Sequence, residues 1–457
     1  MPLNPAHTLD EIRENCSPKP LTKENLGSFF VATDDARDER SNLRQRLADL
    51  LNRQDTTKRL LVYGHRGCGK STELNKLKED LGDRWFIVSL SILDFTNGIG
   101  IKAEDILLAV AVALFEQAGA PGLDLSVDDS HLAGVHAFFN DVTETEVAQR
   151  MAQVKVGAGA GAKDGSLWDS LIGLSAYFRS ELKFATDSNR SAVHKVRQRP
   201  SELSVAVNLL IEAIQSGLDR TGRRLLLVVE DLDKLMLADA HEVFVRNGKL
   251  LGDLNTNAIF TIPIFTFYSP DADAIRAYFD EDVHFQMVKV VDLEGQLAKG
   301  YEVLKQIVRK RVAPEVLDDV ALDLLIRRTG GVLRHVFDTL QTASAFSNLR
   351  HERISRDDIR FALNKVRDNL GVQIGWPRDK DGNGRDPKDL YQRLAEIALA
   401  QSEKKRVPPQ NDPFVQVLLQ SGALIEYNGE RWLGVHPLAR EFLTALGHPV
   451  GVDPYGP

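Results

Sequence analysis

Residues 61–72 read LVYGHRGCGKST, an apolar strand running straight into a glycine-studded turn that closes on Lys, Ser and Thr. The pattern G-x-x-x-x-G-K-[ST] is matched by Gly64, Gly69, Lys70 and Ser71, with a further glycine at Gly67. A loop that wraps a polyphosphate with its own N–H groups needs positive φ angles and close backbone approach, which glycine allows. Gly64, His65, Arg66, Gly67, Cys68, Gly69, Lys70, Ser71 and Thr72 are therefore candidate nucleotide-binding residues. Lys70 would reach the β- and γ-phosphates of ATP, Ser71 would ligate Mg²⁺, and the helix that follows would direct its N-terminal partial charge at the phosphates. The plainer reading is a glycine turn between two elements. Its place between a strand over 58–63 and a helix over 71–81 meets the structural condition for the phosphate loop.

A second stretch works with the first. Arg223 to Lys234 reads RRLLLVVEDLDK, an unbroken apolar run closing on acids. Such a run fits a central strand of a parallel sheet, buried on both faces. Carboxylates at its C-terminal end project into the crevice where open α/β sheets bind ligands. One would join the Mg²⁺ shell and the next would orient or deprotonate the attacking water. On its own the run could equally be a strand ending in a solvated acidic turn.

Together, GHRGCGKST and LLLVVEDLDKL resemble the Walker A and Walker B motifs of P-loop ATPases of the AAA+ and STAND kind, in particular the origin-recognition-like branch. The resemblance implies an α/β fold: a P-loop NTPase core with a parallel sheet flanked by helices, then a helical lid and a C-terminal winged-helix-like domain. It divides the chain into a lead-in and helix over 1–57, a core over 58–292 with a long insertion at about 116–200, a lid over 293–374 and the last domain over 388–457. It makes Glu230 the metal-shell acid and Asp231 the catalytic one, with Asp233 structural. Ser71, Glu230 and Asp231 are then the metal candidates. The family usually carries Asp where Glu230 stands, a change of one methylene in reach, so slow hydrolysis or a shifted register with Asp231 on the metal is implied.

The same resemblance places a polar sensor at the end of the run 258–269 (AIFTIPIFTFYS), where Thr266, Tyr268 and Ser269 are candidates. It also makes Arg334, in RRTGGVLRHVFDTL, the lid arginine that reaches the nucleotide. A plain core strand and a solvated arginine are the respective alternatives. Ser355 is the expected N-cap of a lid helix.

Other segments carry weaker signals. Residues 1–36 read as an extended lead-in, followed by an amphipathic helix from Leu43, Leu47, Leu50 and Leu51. VKVGAGAGAKDG at 154–165 reads as a flexible or closely packed connection. Lys183, Arg190, Lys195, Arg197 and Arg199 form the most basic local patch: a solvated helix face, a salt-bridged contact, a nucleic-acid site or a source of a trans-acting arginine. After a Gly, Pro and Asp-rich linker at 375–388, the order helix, helix, hairpin, helix resembles a winged helix. Residues 388–445 hold seven Lys or Arg and seven Asp or Glu, which lacks the electrostatic footprint of a DNA binder. An interaction or autoinhibitory module is the favoured reading there, with the run Lys404 to Arg406 keeping DNA open.

Composition sets the outer limits. The net charge of −8 gives no global field for nucleic acid or an anionic membrane. The apolar run Ile106 to Phe115 falls short of the roughly 20 residues that span a bilayer. Two cysteines, one inside the glycine loop, fit a reducing compartment, and the polar N-terminus lacks a signal-peptide core. A cytoplasmic ATP-binding protein follows, with a homo-oligomer or partner-protein assembly expected and no membrane partner. Cys68 is expected to face the outside of its loop, where oxidation would impair ATP binding.

Overall fold

A computed structural model describes residues 3–37, 42–53, 56–120, 125, 129–143, 167–183, 192–347, 352–375, 386–408, 411–427 and 432–456. Its centre is a parallel sheet of five strands: β1 (Arg59–Gly64), β2 (Trp85–Ser91), β3 (Arg224–Glu230), β4 (Asn257–Pro263) and β5 (Glu281–His284), in the order β2-β3-β4-β1-β5. Side chains alternate across it. Leu60 and Val62 of β1 join Leu226 and Val228 of β3 on one face, against the helices Leu43–Leu51 and Lys70–Leu81. Leu61 and Tyr63 join Leu225, Leu227 and Val229 on the other, against Ala103–Ala118 and Pro200–Asp219. Burial on both faces explains the near-continuous apolar reading of β3.

Ala103–Ala118 is apolar on every side because it is covered on every side. Its outer surface meets two helices of the insertion, Asp129–Thr143 and Leu167–Lys183, with Phe139 edge-on to Phe115 and to Phe178 at centroid distances of 5.8 and 5.3 Å. The insertion thus adds a helical layer to the core; its small-residue tract at 154–165 lies outside the described residues. Two members of the basic patch make intramolecular pairs. Arg197 grips buried Asp105 with two bonds of 2.8 Å, and Arg199 bonds Asp141 and Glu202, while Arg190 lies outside the described residues.

Two expectations are corrected here. The 258–269 run is one strand only to Pro263, whose ring removes a ladder donor; the chain then turns through a 3₁₀ stretch, Ile264–Tyr268. The N-terminal lead-in is not extended but carries helices Leu9–Asn15 and Lys23–Phe29. Thr8 and Glu11 form a reciprocal capping box at the first, which makes a short helix worth starting.

The segment expected as the lid carries helices Lys299–Arg309, Asp319–Thr329, Leu333–Ser347 and Arg356–Gly375, the last opened by Ser355, whose hydroxyl accepts from the Asp358 N–H. Beyond the linker follow helices Pro387–Ser402 and Pro413–Ser421, an antiparallel hairpin of β6 (Leu424–Tyr427) and β7 (Trp432–Val435), and helix Pro437–Ala445. Both hairpin strands are buried along their whole length. Among the described residues, no helix is long and apolar enough to cross a membrane.

Candidate functional site

A cavity of about 510 Å³ opens at the C-terminal ends of β1 and β3, where the loop 67–72 faces the acidic turn 230–234. The N-terminal segment through Phe29, Phe30 and Val31 and the lid through Arg334 and Phe337 complete its wall. Gly67 has φ of 76°, and a β-carbon there would lie 2.7 Å from Cβ of Arg334, so the loop can meet the lid only as glycine. The Arg334 N–H donates to the Gly67 carbonyl at 3.2 Å. Gly331, at φ 89°, lets the lid pass Val288, whose carbonyl oxygen sits 2.0 Å from where a β-carbon would be.

Lys70 is buried, and its ammonium donates to the carbonyls of Gly64 at 2.9 Å and His65 at 2.8 Å, and pairs with Asp233 at 2.8 Å. Burial disfavours both charges, but their mutual contact outweighs it: Lys70 is held above the usual ammonium range and Asp233 below the usual carboxylate range. Arg66 ties the loop to the same turn, donating to the carbonyls of Lys234 at 2.8 Å and of Asp233 and Leu235 at 3.3 Å.

The other acids face lysines and a serine. Glu230 accepts from Lys78 at 3.0 Å, a lysine that also holds Ser89. Asp231 has φ of 68°, accepts from Ser91 at 2.6 Å and pairs with Lys234 at 2.7 Å. Ser71, Glu230 and Asp231 all line the cavity, and a hydroxyl with carboxylates is the hard oxygen set that suits Mg²⁺. Among the described residues, no three acids, histidines or cysteines are already gathered to hold a metal.

The remaining loop candidates point elsewhere. Cys68 is fully buried with its sulfur 3.9 Å from the Phe285 carbonyl, which overturns the outward-facing, oxidisable position expected of it. Thr72 accepts from the Leu21 N–H at 3.2 Å, fastening the N-terminal segment over the loop helix. His65 turns its ring away from the cavity, and Nε2 accepts from the backbone N–H of Glu426 at 2.7 Å. Burial, with the charges of His284 and Lys70, holds its pKa down to about 3, so the ring is neutral and able to accept. Thr266, Tyr268 and Ser269, the sensor candidates, are not among the residues that line the cavity; Thr266 bonds Pro263, Ser269 bonds Asp271, and Tyr268 reaches Glu426.

Two parts of this arrangement escaped the sequence reading. Arg37 is buried under the loop, donating to Cys68 O at 2.7 Å and Thr33 at 2.9 Å, with its guanidinium 3.7 Å over the Phe285 ring. The second is the contact of β6 with the core. The fully buried Glu426 carboxylate accepts from the Tyr268 hydroxyl and lies 3.7 Å from His284 Nε2, and Gln416 donates to Tyr268 O at 2.8 Å. His335 of the lid and His436 of the C-terminal module meet at 3.0 Å. A single acid inside the apolar stretch ALIEY was the legible sign, since a charge in a buried strand needs dedicated partners.

Residues 38–247 match the family model described as "AAA ATPase domain". Among solved structures, the chain is similar to Cdc6p from Pyrobaculum aerophilum (14% identity, 95% of this chain and 97% of that one, TM-score 0.41). It is also similar to a Walker-type ATPase of Pyrococcus abyssi (13%, 94% and 99%, TM-score 0.45) and to the Aeropyrum pernix Orc1 protein in complex with DNA (12%, 93% and 95%, TM-score 0.38). At such TM-scores the overlaps add nothing to what sheet order and loop already establish. No curated protein matches the sequence. The segment that matches the AAA ATPase domain model is the one that holds the glycine loop of β1 and the acidic end of β3.

Proposed function

We propose that the chain is an ATP-binding and slowly ATP-hydrolysing switch of the AAA+/STAND type, in which nucleotide state governs how the lid and the C-terminal module sit on the core. The observation that carries this is the double contact of one loop: Gly67 meets Arg334 of the lid, and His65 meets Glu426 of β6. A loop that reshapes around a polyphosphate changes both contacts at once. Nucleotide then couples to assembly through differential affinity for two arrangements.

In this reading Lys70 and the loop N–H groups hold the phosphates, and Arg334 approaches the γ-phosphate from the lid. Asp231 orients the attacking water, with Glu230 as its neighbour in the metal shell. Mg²⁺, held by Ser71 with Glu230 or Asp231, would supply charge neutralisation across the phosphate oxygens. The C-terminal module is winged-helix-like in element order, and its buried hairpin fits an interaction or autoinhibitory role. Partners would be copies of the chain or another protein; signalling or phage defence comes from the STAND resemblance alone. A DNA-handling role draws less support, because Arg197 is engaged by buried Asp105 and Arg199 by the neighbouring surface carboxylates Asp141 and Glu202.

Binding and turnover of ATP, measured beside Lys70→Ala and Asp231→Asn, test the enzymatic half: Lys70→Ala loses binding, and Asp231→Asn keeps binding but loses turnover. Small-angle scattering with and without a slowly hydrolysed ATP analogue tests the switch. Binding without any change in size or shape would leave a nucleotide-binding scaffold instead.

A further inference from the structure

The Lys70 ammonium has three N–H donors, and its near acceptors from the chain itself are Gly64 O, His65 O and Asp233 at 2.8–2.9 Å, with Cys68 Sγ farther off at 3.9 Å. Two of these are neutral carbonyls of the loop. The third is a carboxylate, and it is the one partner of Lys70 that resembles a phosphate oxygen in charge and in acceptor geometry. Asp233 lines the same cavity as Ser71 and Thr72, on the side where a polyphosphate wrapped by the loop would lie.

We infer that Asp233 is a built-in competitor for Lys70, a side chain whose carboxylate stands in for phosphate and must leave the ammonium before a β- or γ-phosphate can take it. This rests on the nucleotide-binding reading of the loop. It gives Asp233 a role distinct from Glu230 and Asp231, which face Lys78, Ser91 and Lys234 and make no contact with Lys70. The exchange needs only a side-chain movement. Arg66 holds the backbone carbonyls of Asp233, Lys234 and Leu235 rather than the carboxylate, so the turn stays against the loop while the carboxylate swings away. A negative carboxylate left beside an arriving polyphosphate also repels it, so the wild-type chain binds phosphates more weakly than its loop alone would allow.

The test measures affinity of the full chain for ADP, ATP and adenosine by calorimetry, in EDTA, with Asp233→Asn and Asp233→Ser. Without Mg²⁺ any contribution of Asp233 through a metal is removed. Both variants should bind ADP and ATP about tenfold more tightly than the wild type, with adenosine unchanged because it has no phosphate to compete. Unchanged or weaker ADP affinity in either folded variant overturns the inference. Tighter binding of adenosine as well overturns it too, since that marks a loosened cavity rather than a lost competitor. Circular dichroism confirms folding, and two neutral replacements of different size guard against one failing to fold. If the wild type binds neither ADP nor ATP, the nucleotide reading itself fails, which is a separate result.

Discussion

Two buried carboxylates flank the glycine loop, and they meet it in opposite ways. Asp233 approaches from the cavity side and pairs charge to charge with Lys70. Glu426 approaches from the far side, presents its backbone N–H to a neutral His65, and keeps its carboxylate on Tyr268 and beside His284. On the proposed reading, the first contact sits where a phosphate would compete, so ligand would act on it directly. The second involves residues that do not line the cavity, so on that reading it would feel ligand only through movement of the loop. A loop held by one exchangeable bond and one remote bond is suited to pass a local binding event to a distant module.

Removing one charge from the first contact is the harshest way to break the comparison. Lys70→Ala leaves Asp233 buried without its cation, which should cost about 3–5 kcal/mol of stability by urea denaturation. The double variant Lys70→Ala with Asp233→Ala removes both charges and should recover most of that loss. If the double variant is no more stable than the single one, the two charges are not coupled as the 2.8 Å contact implies.

The far side should yield less. Glu426→Ala leaves the Tyr268 hydroxyl without its acceptor in a buried site, a loss of about 1–3 kcal/mol. Glu426→Gln, which still offers an oxygen to that hydroxyl, should lose less. Because the contact joins the module to the core, hydrogen exchange should rise in β6 and β7 in the alanine variant while β3 stays protected. Uniform change across all strands would show that Glu426 stabilises the whole fold and does not act as a local clasp.

The ligand-facing contact lay closer to the surface of the sequence than the remote one. LVYGHRGCGKST and LLLVVEDLDK announce loop and acidic strand because backbone geometry and parallel-sheet burial constrain residue types locally. The helix, helix, hairpin, helix order of the C-terminal module was legible for the same reason, as was the Ser355 cap. What could not be read was pairing across long separations. The resemblance made Asp233 merely structural and gave no partner for it; in the structure Asp231, at φ 68°, meets Ser91 while the Asp233 carboxylate meets Lys70. His65 and Glu426 are 361 residues apart, and their hydrogen bond exists because the lid folds the module back onto the loop. The N-terminal helices were missed for a simpler reason, since the T-x-x-E pattern of Thr8 and Glu11 precedes too short an apolar period to be noticed.

The gentlest probe uses pH on His65 itself. Its folded pKa of about 3 lies below the ordinary histidine value, so the unfolded chain takes up protons that the folded chain refuses. Stability from this group is therefore complete above about pH 6.5 and is lost progressively as pH falls from there toward about 3. One unit below the ordinary value, near pH 5.5, the loss should be about 1.4 kcal/mol. His65→Gln retains an acceptor for the Glu426 N–H without a titrating ring, so its stability should fall less steeply than that of the wild type over pH 6.5 to 5.5. Both proteins carry His335 and His436, whose burial lowers their pKa values in the same direction, so the difference between the two curves, and not either slope alone, reports on His65 and on its charge coupling to His436. Parallel curves would mean that the His65 ring is not the buried neutral acceptor that joins loop to module. A converging pair would isolate the remote contact from the charged one, because Lys70 does not titrate in that range.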